Sequence, residues 1–280
     1  MSENWNTVLQ AKTPLFSVPV KEIFRYRELI LALVKRNYAV QYKQTILGPL
    51  WLVFSMVINS GIFSFVFGYV GGFATEGVPY FLYYMTGSVV WEMFASCFSS
   101  NTSVLLDNSY LFGKVYFPRL IVPIANILFN GIRIIVKLGV VIVVWGIYYF
   151  RGMANMFGFS IVFLIPIALI AGVMGTSLGL IVSCLTVKYR DFSHITGLLI
   201  TGMMYVSPVM YSISQLPIVL QNVVYINPMS SIVELFRYCI LGVGNASFVH
   251  LFYSLIFSII ICIVSLVIFN QTEKTFIDII

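Results

Sequence analysis

The sequence predicts an all-helical protein that crosses a membrane several times. Of its 280 residues, 60% are hydrophobic and only 9% are charged, whereas about a quarter of the residues of an ordinary soluble domain are charged. The apolar residues form runs close to the ~20 residues that cross a bilayer core. Each segment in lipid must satisfy its own backbone hydrogen bonds, which favours helices. Residues 251–269 show none of the alternation of a barrel strand, so we expect one helical membrane domain covering 1–280.

The amino-terminal part predicts a helix that lies along the membrane surface. Over residues 21–43, Ile23 and Ile30 fall on one side of a helix, and Arg25 and Lys35 lie mostly opposite. This distribution is typical of a helix at the cytoplasmic interface. The alternative is a basic leader that orients the first span.

Further along the chain, six apolar runs are predicted to cross the membrane: 49–70, 80–98, 120–150, 157–187, 193–213 and 248–269. The fourth run is so long that it must tilt, kink at Pro166 or project beyond the lipid. Pro208 interrupts the fifth. Between the last two runs, 214–247 predicts two short helices, near 216–225 and 229–241, that dip into the outer leaflet against protein. A cap resting on the headgroups is the alternative.

The basic residues predict that both termini are cytoplasmic. With the amino terminus inside, Lys114, Arg119 and Lys188 also lie inside, which leaves Arg151 and Arg237 in the outer loops. The formal charge of +6 fits anionic lipid headgroups better than nucleic acid, because many basic residues precede the first apolar run.

The sequence offers no nucleotide-binding loop and no catalytic centre. The only Gly-Lys pair, Gly113-Lys114, is preceded at the required position by Asn108 and followed by Val115, so the phosphate-loop pattern is absent. The cysteines and histidines are scattered, which argues against a metal site. We therefore expect a transport subunit that is not an enzyme and carries no cofactor.

Charged and aromatic residues within the apolar runs are candidates for a transport pathway. Glu92 either lines a pathway or meets a cation, or it is hydrogen-bonded or protonated at a helix interface. Arg133 and Lys137 share a helix face and could guide an anion, but the favoured interpretation is that both snorkel to the cytoplasmic headgroups. Tyr84 belongs to an aromatic cluster that could line a channel, although belts at the bilayer edges account for most of the aromatic residues.

Short motifs along nearly the whole chain carry a family resemblance. Residues 42–51, Y-K-Q-T-I-L-G-P-L-W, resemble the Y-K-Q-T-x-L-G-x-x-W signature of type-2 ABC exporter permeases. The similarity continues in G-S-V-V-W at 87–91, K-V-Y-F-P-R at 114–119, Y-R-D at 189–191, S-P-V at 207–209 and N-P-M at 227–229. The order and spacing resemble the polysaccharide-export branch, which includes the O-antigen exporters. Asn37 departs from the aspartate that members often carry.

The resemblance implies a homodimer of six-span subunits around a central channel in the bacterial inner membrane. Two copies of a separate cytoplasmic ATPase, which binds ATP and Mg²⁺, would complete a two-plus-two complex. Residues 101–112 would form a coupling helix, 21–43 the interface helix and 214–247 the outer gate. The implied coupling residues are Asn108, Tyr110, Leu111, Lys114, Tyr116, Phe117, Pro118 and Arg119.

The expected cargo is a polysaccharide on a polyprenyl diphosphate carrier, with O-antigen as the first candidate and capsule or teichoic acid as alternatives. The basic residues near the inner surface are expected to attract the diphosphate: Arg25, Arg27, Lys35, Arg36 and Lys43. An ion-driven secondary transporter is the alternative from another class, but the inverted repeats typical of that class are not evident.

Overall fold

The computed structural model of the chain describes residues 20–114, 117–153, 159–189, 191–244 and 248–279. All regular elements in these ranges are helical, which confirms the predicted fold class. Among the described residues, four helices are long and apolar enough to cross a membrane: Leu50–Val70, Ile121–Phe150, Ile161–Lys188 and Val249–Thr272. The chain is therefore a multi-pass helical membrane protein.

The α-helices follow one another as α1 (Val20–Arg25), α2 (Arg27–Tyr42), α3 (Leu50–Phe63), α4 (Tyr80–Ser99), α5 (Val104–Asp107), α6 (Ser109–Lys114), α7 (Ile121–Phe150), α8 (Leu164–Lys188), α9 (Phe192–Val206), α10 (Ile218–Ile226), α11 (Pro228–Leu241) and α12 (Phe248–Ile279). A π-helix, Ser64–Val70, extends α3, and a 3-10 helix, Phe159–Phe163, precedes α8.

Two prolines mark where the helices differ from the predicted runs. Helix α9 ends at Val206 because Ser207, which precedes Pro208, is extended. Pro166 lies in the first turn of α8, where its missing N–H breaks no helical hydrogen bond, so it begins that helix rather than kinking it.

Helix α4 lies at the centre of the packing and contacts α3, α7, α8 and α11. Its approach to α8 is close because that helix carries glycines on the contact face. A Cβ atom on Gly175 would lie 2.3 Å from the carbonyl oxygen of Phe94, and one on Gly179 would lie 2.6 Å from that of Phe98. The backbones of α4 and α8 are therefore in direct contact.

The two helices between α9 and α12 differ in burial. Most of α11 is buried against α4, α8 and α12. In α10, Val224 is the buried residue, and Ile218, Val219 and Ile226 are strongly exposed. The protein therefore encloses α11, while α10 presents an apolar face to its surroundings.

Helices α3 and α9 also present apolar surfaces. Helix α9 has no buried residue, and Leu198 is 75% exposed. Along α3 and its π-helical extension, Trp51, Phe54 and Phe65 are exposed. Apolar surfaces of this extent require a cover of lipid or protein.

Candidate functional site

A polar cavity of about 840 Å³ opens between α2, α4, α7 and α9. Its walls carry an unusual concentration of amide, hydroxyl and charged side chains for so apolar a protein: Arg36, Asn37, Gln41, Ser96, Ser99, Ser100, Asp107, Asn108, Asn126, Asn130 and Arg133. Cavities with convergent polar groups are the usual places where proteins accommodate a polar ligand.

Asparagine side chains join three elements along one wall of this cavity. Asn37 Nδ2 on α2 donates to Asn126 Oδ1 on α7 at 3.0 Å. Asn126 Nδ2 in turn donates to the carbonyl oxygen of Ser100 at 3.0 Å and to Asn101 Oδ1 at 3.1 Å. Asn130 Nδ2 donates to Ser100 Oγ at 3.2 Å. These hydrogen bonds tie α2 and α7 to the end of α4.

A cluster of charged side chains continues this wall towards the middle of α7. Arg133 Nη1 donates to Asn130 Oδ1 at 3.1 Å, and its Nη2 lies 3.9 Å from Glu92 Oε1. Lys137 Nζ donates to Glu92 Oε2, and the Lys137 side chain is only 3% exposed. The prediction that Lys137 snorkels to the headgroups is therefore wrong, because an acid on α4 pairs with it inside the protein.

Tyr42, at the end of α2, lies beside the same cluster. Burial raises the pKa of its phenol above the ordinary value, and the nearby Arg133 guanidinium opposes that rise. The phenol is therefore neutral at physiological pH. Neither the Tyr42 hydroxyl nor Arg133 Nε makes a hydrogen bond to the described residues.

The structure separates the five basic residues predicted to attract a diphosphate. Arg36 lines the cavity, where its Nη2 donates to Asn108 Oδ1 at 3.2 Å. The other four, Arg25, Arg27, Lys35 and Lys43, do not line it, although all five residues are exposed.

The segment predicted to couple to an ATPase contains α5 and α6, which are joined at Asn108. Asn108 Nδ2 donates to the carbonyl oxygen of Val104 at 2.9 Å, so this side chain links the segment to both α5 and Arg36. Tyr110 is 72% exposed, and Lys114 Nζ lies 3.8 Å from the centroid of its ring. Leu111 is partly buried beneath them. Tyr110 and Lys114 therefore form the accessible surface of α6.

The residues that lead into α7 are mostly enclosed. Phe117 is 5% exposed, and its ring centroid lies 5.7 Å from that of Phe112. Arg119 is 8% exposed, with Cζ 5.6 Å from the centroid of the Phe112 ring. The carbonyl oxygen of Pro118 accepts a hydrogen bond from the backbone N–H of Ile121 at 3.0 Å. These side chains hold the segment in place, and Tyr116 lies outside the described residues.

Tyr84, a candidate for a channel lining, is enclosed in the single chain. It is 4% exposed, and its ring stacks on Phe63 with centroids 4.6 Å apart. In this structure Tyr84 packs α4 against α3.

A second pair of charges lies within α11. Arg237 Nη1 donates to Glu234 Oε1 at 2.8 Å, and the two side chains are 0% and 2% exposed. Arg237 Nη2 donates to the carbonyl oxygens of Pro208 at 2.8 Å and Val209 at 3.3 Å, while Cζ lies 3.8 Å from the Tyr83 ring centroid. Arg237 is therefore fully buried within the protein, in the helix that corresponds to the predicted outer helix 229–241.

The asparagines of the cavity wall were not predicted from the sequence, although their spacing carried a signal. Asn126, Asn130, Arg133 and Lys137 recur every three or four residues, which places them on one face of an otherwise apolar helix. A polar stripe of this kind indicates a face turned towards protein or water. Asn101 carried no comparable signal.

Comparisons with known proteins point in one direction. The model of the ABC-2 type transporter family matches residues 28–241. The chain is 27% identical over 255 residues to the O-antigen export system permease protein RfbA of Klebsiella pneumoniae, which covers 90% of this chain and 95% of that protein. It is 26% identical over 196 residues to the protein of the same name from Myxococcus xanthus, an alignment that covers 70% of this chain and 72% of that protein. Nodulation protein J of Rhizobium leguminosarum bv. trifolii is 31% identical to this chain over 83 residues, an alignment that covers 30% of this chain and 32% of that protein.

Proposed function

The chain belongs to the ABC-2 type transporter family, and from that premise we propose that it is the permease subunit of an exporter for a polysaccharide carried on polyprenyl diphosphate. The observation that carries this proposal is the polar, cation-bearing cavity of about 840 Å³ in a multi-pass helical protein. The names of the Klebsiella and Myxococcus relatives support O-antigen as the cargo. Capsular polysaccharide and teichoic acid are the alternative cargoes.

The proposed assembly is a homodimer of six-span subunits in the inner membrane, with both termini in the cytoplasm. The fifth span is α9, whose 15 residues are short for a complete crossing and are continued by the turn at 207–211. The unburied surfaces of α3 and α9 support a second copy as a partner, because a channel between two subunits would cover part of them.

Energy would come from a separate ABC ATPase, which is the partner that the family implies. ATP and Mg²⁺ would bind to that partner, since this chain has no phosphate loop. We assign the docking surface to α6, where Tyr110 and Lys114 are accessible. Nucleotide can drive the channel only through different affinities for its closed and conducting states.

The exposed basic residues of the amino-terminal helices would act before the lipid-linked polymer enters the permease. Arg25, Arg27, Lys35 and Lys43 are accessible at the proposed inner surface. Each basic residue near an anionic surface contributes on the order of 1 kcal/mol. These residues would therefore concentrate the diphosphate headgroup beside the permease.

The proposal is tested by purifying the chain together with candidate ATPases and reconstituting the complex in vesicles. We expect an ATPase with a phosphate loop to co-purify and ATP to drive transfer of the polymer. Tyr110→Ala should uncouple ATP hydrolysis from transfer without unfolding the protein. Tyr69→Ala is the matched control, because Tyr69 is 84% exposed in the π-helix at the opposite end of the first span.

Deletion of the gene should also remove one surface polymer, and the identity of that polymer decides between O-antigen, capsule and teichoic acid. Transfer by the purified chain without any ATPase would overturn the proposal and favour an ion-driven transporter.

A further inference from the structure

Positive charge exceeds negative charge around the polar cavity. The cations Arg36, Arg133 and Lys137 are accompanied by the acids Glu92 and Asp107, which leaves one positive charge in excess among these groups. Arg36 and Asp107 are exposed, and a net positive charge at such a site attracts anions and repels cations. The cavity therefore favours an anion over a neutral or cationic solute.

The arginine on the α2 wall has no acidic partner among the described residues. Arg36 Nη2 donates to Asn37 Oδ1 at 3.4 Å and to Asn108 Oδ1 at 3.2 Å, and both acceptors are neutral amides. A guanidinium group has five N–H donors in a rigid fork. Arg36 consequently retains donors for an anion in the cavity.

The arginine on the α7 wall is also incompletely paired. Arg133 Nη2 lies 3.9 Å from the Glu92 carboxylate, which is beyond hydrogen-bonding distance, and Lys137 already donates to that carboxylate. Arg133 Nε is buried and makes no hydrogen bond to the described residues, so the donors that Arg133 can offer to a ligand are those of Nη1 and Nη2. Two guanidinium groups that line the same cavity from different helices match the several oxygens of a phosphate better than those of a single carboxylate.

We propose that this cavity is a binding site for a phosphate or diphosphate group, held between Arg36 and Arg133. The inference rests on the proposed function and locates the headgroup of the lipid carrier inside the permease, separate from the exposed basic residues that would attract it. The volume of about 840 Å³ falls within the ~300–1,000 Å³ of small-ligand sites. Ser96, Ser99 and Gln41 on the same walls offer further hydrogen-bond donors.

The first test measures occupancy of the cavity by the reactivity of one introduced cysteine. Ser99 lines the cavity and is exposed, whereas Cys97, Cys184 and Cys239 are buried. In the complete complex with its ATPase kept in the ADP-bound state, Ser99→Cys should react with a sulfonate thiol reagent at a rate that inorganic diphosphate lowers at least fivefold. The unsubstituted complex gives the background from Cys262.

A control cysteine at Ser214, exposed in the turn near Glu76, should react at the same rate with and without diphosphate. Failure of diphosphate to protect Ser99→Cys would overturn the proposed site.

The second test measures affinity for polyprenyl diphosphate in nanodiscs that contain the same complex. Arg36→Gln and Arg133→Gln should each weaken binding about tenfold, which corresponds to about 1.4 kcal/mol. The matched control is Lys188→Gln, an exposed cation at the end of α8 that does not line the cavity. Arg133→Lys keeps the charge but removes the fork, and it should weaken binding by a smaller factor.

Competition identifies the source of the phosphate group. Displacement of polyprenyl diphosphate by inorganic diphosphate means that the headgroup is what the cavity recognises, whereas unchanged lipid binding at saturating inorganic diphosphate overturns the headgroup site.

If polymer export continues while both arginine variants bind lipid normally, the site is wrong and the proposed function stands. If Ser99→Cys is protected but no polymer is exported, the site stands and the proposed function fails.

Discussion

Two charged clusters among the described residues differ in how completely the protein encloses them. In α11, Glu234 and Arg237 are 2% and 0% exposed, and the carbonyl oxygens of Pro208 and Val209 accept hydrogen bonds from Arg237 Nη2, while its Nε has no partner among the described residues. Beside the cavity, Glu92 is 36% exposed and Arg133 is 19% exposed. The enclosed pair joins α11 to the turn after α9, whereas Glu92 and Arg133 in the open cluster remain partly accessible from the cavity side.

The energetic consequences of this difference are large. Removing one member of an enclosed pair leaves an uncompensated buried charge and costs about 3–5 kcal/mol. A partly exposed pair contributes only about 0–1 kcal/mol, because water screens it and competes for its partners. We therefore expect substitutions at the α11 pair to affect folding and substitutions at Arg133 to affect function.

The largest expected effect is that of Arg237→Ala. The substitution leaves Glu234 buried without its cation and two carbonyl oxygens without a donor, so the free energy of unfolding should fall by about 3–5 kcal/mol. Thermal unfolding of the purified protein in detergent measures this loss. Arg151→Ala, at an exposed position after α7, should leave the unfolding temperature unchanged. If both variants unfold at the same temperature, the Glu234–Arg237 pair does not stabilise the fold.

Gly87→Ala tests the same region from the α4 side and should have a smaller effect. A Cβ atom at Gly87 would lie 2.7 Å from Arg237 Nη2 and 3.3 Å from the carbonyl oxygen of Val209. Forcing a methyl group into this contact should cost about 1–3 kcal/mol. Gly139→Ala in α7 is the control, because nothing lies within 4 Å of its Cβ position. A lower transition temperature for the control than for Gly87→Ala would contradict the tight packing around Arg237.

Sequence patterns predicted the helical class and singled out the residues of the open cluster beside the cavity, but they did not predict how these residues pair. Glu92, Arg133 and Lys137 stood out because ionisable residues are rare in apolar runs. Snorkelling was the wrong interpretation for Lys137, because its partner lies on another helix 45 residues away, and no local pattern reveals such a pairing. The burial of Arg237 was not predicted either, although Glu234, an acid three positions earlier, was visible as a partner at helical spacing.

Arg133→Gln should have a small effect on stability and a clear effect on function. Glu92 keeps its hydrogen bond from Lys137, so the free energy of unfolding should change by no more than about 1 kcal/mol. Polymer export by the reconstituted complex should nevertheless slow, because the proposed anion site loses a guanidinium group. Arg237→Gln is the matched substitution in the enclosed cluster. If the two variants unfold at the same temperature, the enclosed pair does not stabilise the fold more than Arg133 does.

The smallest expected effect is that of Asn37→Asp. An aspartate cannot donate the hydrogen bond that Asn37 Nδ2 now gives to Asn126 Oδ1 at 3.0 Å. Rotating the Asn126 amide would restore that contact but break its bonds to Ser100 and Asn101. The loss should be about 0.5–1.5 kcal/mol, as for a single hydrogen bond, and the charged contact with Arg36 should offset part of it.

A double-mutant cycle with Asn126→Ala isolates this contribution. If the Asn37–Asn126 bond is its source, Asn37→Asp should cost nothing once Asn126 is replaced. An unchanged cost in that background would show that the cavity wall does not depend on the amide pair. The added negative charge should also weaken diphosphate binding in both backgrounds, because it removes the excess positive charge that distinguishes the open cluster from the enclosed one.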